Sequence, residues 1–381
     1  MDNKRSDELR EIRNILGLNV YPWENLHDDI LELAFISETK YSEYFKNKYN
    51  MGNNDVMEFV GDSLLNMIVA DFLVGFVTNK PIRYSHHFIS NPVLICLMMK
   101  KNLCHQIVNV TGKACADRLE AIIGALWFYL TELNLFNDAY ELLYKWLITT
   151  FNFQDLIDEL ETQGLHYCSK SVTKTELGIL NLYKINHRIN IILPQRLITE
   201  LTKLKNSLKL LVYDESIEDP DDINTNMLRD IPLELLFLAV NNQKMGTRLE
   251  NSLNEKYGFS NNNQLKFLGH RVFRVLIAFD IYHLIYLNVT ENINYFAKLF
   301  DLVASKKIIS SVLLQKGLPI TIPDFYSILG AIYYYLHYIR HEPYAMEIIH
   351  IWFLSFWPIE FRINYMILNQ FKHNLYEIYS R

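Results

Sequence analysis

Four acidic residues stand in two short segments of the chain, at spacings that suit metal chemistry. Glu58 and Asp62 are four residues apart, and Asp117 and Glu120 are three apart. On an α-helix, residues at either spacing lie one turn apart on the same face. Grouped carboxylates are the ligands that Mg²⁺ and Mn²⁺ prefer, and two such ions can serve the hydrolysis of a phosphodiester. Acid pairs also occur on solvated helix surfaces, and spacing alone does not separate the two.

The elements that must carry these acids are predicted to be helices, because apolar residues recur every three or four positions. The clearest examples cover residues 29–36, 56–74, 116–130 and 137–149. Only 13 Gly and 10 Pro occur in 381 residues, which also favours helix over strand. Gly61 and Gly124 lie beside the acid pairs, and their small size predicts a close approach of the two helices. The expected fold class is all-α.

Both acidic segments have a second copy later in the chain. LKFLGHRVF at residues 265–273 repeats MEFVGDSLL at residues 57–65, with an offset of 208 residues. YSILGA at residues 326–331 repeats EAIIGA at residues 120–125, with an offset of 206. Such a constant offset predicts one helical domain present twice in tandem.

The repeat divides the chain into three predicted parts: a first domain at 1–150, a helical linker at 151–225 and a second domain at 226–381. The linker contains the acidic run 214–222, DESIEDPDD. Acidic residues around a proline are typical of a solvated loop, with metal binding as the alternative.

The first copy resembles the ribonuclease III family. Residues 54–62 (NDVMEFVGD) are similar to the family's signature, residues 113–125 (KACADRLEAIIGA) to its second motif, and residues 88–91 (FISN) to a segment between them. The similarity covers most of residues 26–147. The early acid of the signature is Asp55 here, where the family has Glu.

The resemblance implies a function for the acids. By position, they correspond to the family's metal-binding and catalytic residues: Glu58, Asp62, Asp117 and Glu120. It further implies a Mg²⁺ (or Mn²⁺) cofactor and cleavage of double-stranded RNA that leaves a 5′-phosphate and a 3′-hydroxyl.

The second copy has lost every one of these acids. Lys266 stands in place of the glutamate and His270 in place of the aspartate of the first motif, while Pro323 and Tyr326 occupy the acid positions of the second. Asp324 is one residue out of register and would face elsewhere on a helix. This degenerate copy is therefore predicted to hold no metal. A further hypothesis is that it fills the site with fixed positive charge instead.

Phe59 follows Glu58 in the first copy, and Phe267 follows Lys266 in the second, so both copies keep this aromatic residue. In the resembling family the catalytic domain is a dimer, and the aromatic residue after the motif glutamate enters the other subunit. The resemblance thus predicts an intramolecular pseudodimer of two ribonuclease III-like helical endonuclease domains, with Phe59 and Phe267 at the domain interface. A simple core position for Phe267 is an equal alternative.

The function that follows is a divalent-metal-dependent endoribonuclease with one active centre, which nicks one strand of double-stranded or structured RNA. Two features oppose this: no segment of the sequence is predicted to form the double-stranded RNA-binding domain of the family, and the net charge is −6. They favour a protein partner that supplies RNA binding. The alternative is a non-catalytic ribonuclease III-fold scaffold, or a subunit of a larger ribonucleoprotein or viral complex.

The expected location is intracellular, in the cytoplasm or nucleus. The N-terminus carries charges of both signs and predicts no signal peptide, and no apolar stretch is long enough to predict a transmembrane segment. The four cysteines have no CxxC spacing, so neither a zinc site nor a disulfide framework is indicated.

Overall fold

A computed structural model describes residues 3–37, 40, 42–76, 85, 88–104, 112–133, 138–153, 155, 185–210, 225–241, 247–259, 261–286 and 293–357. The acidic run 214–222, most of the predicted linker and the chain after residue 357 lie outside these residues. We refer to residues 3–153 as the N-terminal half and to residues 225–357 as the C-terminal half.

The fold is all-α, as the sequence predicts. In the described residues the chain forms the helices α1 (Asn3–Ile15), α2 (Asp28–Leu33), α3 (Glu43–Tyr49), α4 (Asp55–Phe76), α5 (Asn91–Lys100), α6 (Lys113–Phe128), α7 (Ala139–Thr150), α8 (Gln195–Ser207), α9 (Leu233–Val240), α10 (Thr247–Tyr257), α11 (Asn263–Tyr286), α12 (Ile293–Val303), α13 (Lys306–Gln315), α14 (Ile322–Tyr334) and α15 (Ala345–Phe356). A 3₁₀ helix covers Thr225–Asp230, and π-helical turns follow α6 at Tyr129–Leu133 and α14 at Tyr335–Ile339. No strand occurs in the part of the chain that the structure describes.

Helices α4 and α6 form the main contact of the N-terminal half, and two glycines set its closeness. A Cβ atom on Gly61 would lie 1.8 Å from the carbonyl oxygen of Glu120, and one on Gly124 would lie 2.0 Å from that of Met57. Neither distance is compatible with a side chain, so the crossing requires glycine at both positions. The backbones of the two acidic segments thereby touch.

The same close approach occurs between α11 and α14 in the C-terminal half. A Cβ on Gly269 would lie 1.7 Å from the carbonyl oxygen of Tyr326, and one on Gly330 would lie 1.9 Å from that of Leu265. These four residues stand 208 or 206 positions after the four that form the first crossing. The two halves thus use matching residues for matching contacts.

Helix α4 also packs against α11, which brings the two crossings side by side. The ring of Phe59 meets the ring of Phe300 edge-on, with centroids 5.3 Å apart, and Trp127 stacks on Phe279 at 4.4 Å. Because α4 contacts a helix on each side, its apolar residues surround it instead of forming one stripe. A single core of buried side chains continues through both halves.

Asp71 of α4 is fully buried at this junction. The hydroxyls of Tyr333 and Tyr338 donate hydrogen bonds of 2.6 Å to its carboxylate, and that of Tyr140 donates one of 3.3 Å. His337 Nε2 lies 3.7 Å away. Three of these four partners belong to the C-terminal half, so a buried polar cluster joins the halves.

Two further features concern predictions made from the sequence. Cys104, after α5, forms a disulfide with Cys115 in the first turn of α6, with Cα atoms 5.7 Å apart. The cysteine spacing indicated no disulfide framework; this single pair was not predicted, because the fold and not the spacing brings the two cysteines together. Among the described residues, no helix combines the length and apolar character that crossing a membrane would require.

Candidate metal centre

Three of the four predicted acids converge where α4 crosses α6. Glu58, Asp117 and Glu120 each offer a carboxylate oxygen, and these oxygens lie within 4.8 Å of one another. All three side chains are half-buried. One divalent cation could be reached by all three, and the oxygen-only donor set is the one that Mg²⁺ and Mn²⁺ prefer.

Asp62 lies next to this cluster but outside the 4.8 Å group. The side-chain amide of Asn66 donates to the carboxylate of Asp62 and to the main-chain carbonyl oxygen of Asp62, both at 2.8 Å. This fixes the Asp62 side chain against its own helix. Its negative charge nevertheless raises the pKa of Glu120, so the fourth acid belongs to the same electrostatic site.

The pKa values show that the cluster is unfavourable in its fully ionised form. Burial, followed by repulsion from Asp62, Glu58 and Asp117, raises the pKa of Glu120 to about 8. Burial and then Asp117 raise that of Glu58 to about 7. Burial also raises the pKa of Asp62. A bound cation would remove this repulsion, so the residues fit a divalent metal ion.

Two basic residues of α6 hold the site together. Lys113 donates to both carboxylate oxygens of Asp117, at 2.9 and 3.0 Å, and this hydrogen bond raises the pKa of the lysine. Arg118 is buried and donates to the carbonyl oxygen of Ala34, at the end of α2. The sequence pattern does not reveal this contact, because Ala34 lies 84 residues away along the chain. The contact anchors the segment that carries Asp117 and Glu120.

The corresponding positions of the C-terminal half contain no cluster of this kind among the described residues. His270 packs edge-on against Tyr326 with ring centroids 4.9 Å apart, and burial, followed by the charges of Arg271 and Arg274, lowers the pKa of His270 to about 4. A neutral imidazole on a phenol ring offers no charged ligand. Lys266 is half-buried on α11.

The second motif of that half serves as a helix start. Pro323 lies in the first turn of α14, and Asp324 forms a reciprocal capping box with Thr321, whose main-chain N–H and hydroxyl both donate to the Asp324 carboxylate. The acid that was out of register is thus committed to capping.

Phe59 and Phe267 have different surroundings. Phe59 meets Phe300 of the C-terminal half, whereas Phe267 is buried and carries the guanidinium of Arg271 over its ring at 5.6 Å. The first of these contacts crosses between the halves. The interface role that the sequence predicts for the pair remains a prediction.

The chain is 28% identical over 143 residues to Ribonuclease 3 of Treponema denticola, a match that covers 33% of this chain and 54% of that protein. The relationship is ribonuclease III-like. No family model matches the chain. The chain spans about half the length of this curated relative, so a ribonuclease III-like helical fold is the extent of what the comparison supports.

The glycines at the two helix crossings, Gly61 and Gly269, give a first prediction. We expect Gly61→Ala and Gly269→Ala each to lower the free energy of unfolding by about 1–3 kcal/mol or more, because each new Cβ meets a backbone carbonyl. Only Gly61→Ala displaces Glu120, so only this variant should lose the rise in melting temperature on adding Mn²⁺. Thermal unfolding with and without Mn²⁺ measures both effects. If the Gly61→Ala protein responds to Mn²⁺ like the wild type, metal binding by the carboxylates does not depend on the close crossing of α4 and α6.

Proposed function

We propose that the chain is a divalent-metal-dependent endoribonuclease that acts on double-stranded RNA through one active centre. The observation that carries the proposal is the convergence of Glu58, Asp117 and Glu120 beside Asp62, on helices that pack through matched glycines. The similarity to a ribonuclease 3 supports the reaction class.

The acids have distinct tasks in this proposal. Glu58, Asp117 and Glu120 would hold Mg²⁺ (or Mn²⁺), with Asp62 as the fourth acid of the site. Bound ions would supply an activated water and stabilise the leaving oxygen of the phosphodiester. Asn66 keeps Asp62 oriented, and Lys113 offsets the charge of Asp117. Since Glu58 and Glu120 have raised pKa values, metal binding releases protons and weakens as the pH falls below about 7.

The arrangement of the halves completes the proposal. Domains at 1–150 and 226–381, with a linker at 151–225, would form a pseudodimer within one chain. The contacts of Phe59 with Phe300 and of Asp71 with Tyr333 support it. One covalent chain keeps the domains at high effective concentration. Because His270 and Tyr326 replace acids in the second domain, a single centre remains, and each binding event should cut one strand.

The experiment uses an asymmetric RNA duplex with a different fluorophore on each 5′ end. We expect the purified protein with Mg²⁺ or Mn²⁺ to release one shortened strand on a denaturing gel while the duplex stays full-length on a native gel. Coordinated cleavage of both strands by a monomer would contradict the single centre. No cleavage with either metal would favour the scaffold function, or a need for a partner that brings the RNA.

A further inference from the structure

Two arginines of the C-terminal half lie beside the acidic centre of the N-terminal half. Arg271 and Arg274 are three residues apart on α11, so they share a face of the helix that packs against α4. The positive charges of both lower the pKa of Asp62, against the larger effect of burial. The same charges act on His270, and that of Arg274 also acts on Tyr326. The pair therefore lies within electrostatic reach of one acid of the centre and of two positions where acids are replaced.

Packing holds both guanidinium groups in place. The guanidinium carbon of Arg274 lies 4.6 Å from the ring centroid of Phe300, the residue that also contacts Phe59. That of Arg271 lies 5.6 Å from the ring of Phe267. An arginine held over an aromatic ring by a cation–π contact can still direct N–H groups at an oxyanion. Phe267 and Phe300 thus support the two cations.

Among the described residues, neither cation forms a direct ion pair, although both lie within electrostatic reach of Asp62. In the described part of the chain, neither guanidinium has a carboxylate oxygen within ion-pair distance. The Nε of Arg271 is buried without a hydrogen-bond partner there. In the N-terminal half the positions 208 residues earlier are Ser63 and Asn66, so the pair of cations is particular to the degenerate half.

We propose that Arg271 and Arg274 form a phosphate-binding site for the backbone of double-stranded RNA, next to the metal centre. Guanidinium groups bind phosphate oxygens in a bidentate way, and a backbone phosphate is the anion that an RNA duplex would present there. This inference rests on the proposed function. It gives the degenerate half a role in binding substrate while the other half carries out the chemistry.

The test measures RNA binding without catalysis. Wild type, Arg271→Gln, Arg274→Gln and the double variant are titrated into a fluorescent RNA duplex in EDTA, at 50 to 200 mM salt. We expect each substitution to weaken binding by about tenfold. Each should also reduce the slope of log K against log salt by about 1. Arg274→Lys should keep the slope and lose part of the affinity, because the charge remains while the bidentate geometry is lost.

Arg196→Gln is the matched control. Arg196 is exposed on α8 and pairs with Glu200, so its loss should leave the affinity and the slope unchanged. Melting temperatures confirm that each variant is folded. Wild-type affinity and slope in the double variant would overturn the inference and leave the arginines as counter-charges for Asp62, and so would absence of duplex binding by the wild type.

The outcomes also separate this inference from the proposed function. If the wild type binds the duplex through the arginines but does not cleave it with either Mg²⁺ or Mn²⁺, the phosphate site stands and the endoribonuclease proposal fails. If it cleaves and the double variant binds and cleaves equally well, the endoribonuclease proposal stands and the phosphate site fails.

Discussion

Glu120→Gln is expected to lower RNA cleavage by at least about 10³-fold while the protein stays folded. Glu120 contributes one of three carboxylates within 4.8 Å of one another. A metal ion typically provides several kcal/mol of transition-state stabilisation, and about 1.4 kcal/mol corresponds to a factor of ten in rate. Asp62→Asn should also reduce cleavage strongly, since Asp62 is the fourth acid of the same site. Single-turnover rates with saturating Mg²⁺ measure the loss.

The same substitution should make the metal-free protein more stable. In the folded state the pKa of Glu120 is about 8, above its ordinary value, because of burial and then of the three neighbouring acids. A carboxyl group with a raised pKa contributes stability that is complete below about pH 4.5 and is lost as the pH rises through 8. Glutamine cannot ionise. At pH 8 without metal, Glu120→Gln should therefore unfold at a higher temperature than the wild type.

Adding Mn²⁺ should reverse this order. The wild type gains stability from binding the ion, and the variant gains less because one ligand is missing. Lys266→Gln and Tyr326→Phe are the matched controls at positions of the degenerate half, and neither should change the response to Mn²⁺. Equal melting temperatures of wild type and Glu120→Gln in both conditions would show that Glu120 is a solvated surface acid.

Local spacing was enough to predict much of the fold and of the acidic site. The helix predicted over residues 56–74 is α4 at Asp55–Phe76, and that over 137–149 is α7 at Ala139–Thr150. Glu58 and Glu120 could be found because helix geometry relates residues three or four apart, and because Gly61 and Gly124 mark the contact between two such helices. The acid spacing is a local pattern, and each glycine stands next to an acid pair, so both can be recognised in the sequence.

Contacts between distant residues left no such signal. Arg274 stands beside Asp62 through the packing of α11 on α4, and no spacing rule relates residues in two separate helices. The disulfide between Cys104 and Cys115 arises in the same way. Asp324 is a different case, since Thr321 and Asp324 have the spacing of a capping box, and this local pattern could have been recognised.

Asp71 could have been noticed as well, but its partners could not. It is a single acid within the apolar run MIVADFLV, and a charge in such a run is seldom buried without partners. Those partners lie far along the chain: Tyr333 is 262 residues away and Tyr338 is 267 residues away. Only the folded arrangement of the halves brings them to Asp71.

Asp71→Ala is expected to lower the free energy of unfolding by about 2–5 kcal/mol, because each buried hydroxyl left without an acceptor costs about 1–3 kcal/mol. The substitution leaves the hydroxyls of Tyr333 and Tyr140 without their acceptor at a fully buried position. Asp71→Asn should cost less, because the amide oxygen can still accept a hydrogen bond. Urea unfolding followed by circular dichroism measures both.

A double-mutant cycle locates this energy at the junction between the halves. Tyr333→Phe alone should cost about 1–3 kcal/mol, because it removes one buried hydrogen bond to a carboxyl group. In the Asp71→Ala background it should cost less, since the two changes remove the same hydrogen bond, with a coupling of at least about 0.5 kcal/mol. Phe279→Leu, at the stacked contact with Trp127, serves as a control at the same junction and should not couple to Asp71. A loss below about 1 kcal/mol for Asp71→Ala, or additive effects of Asp71→Ala and Tyr333→Phe, would mean that apolar contacts alone hold the halves together. A large coupling would instead identify this tyrosine cluster as a polar link between the halves.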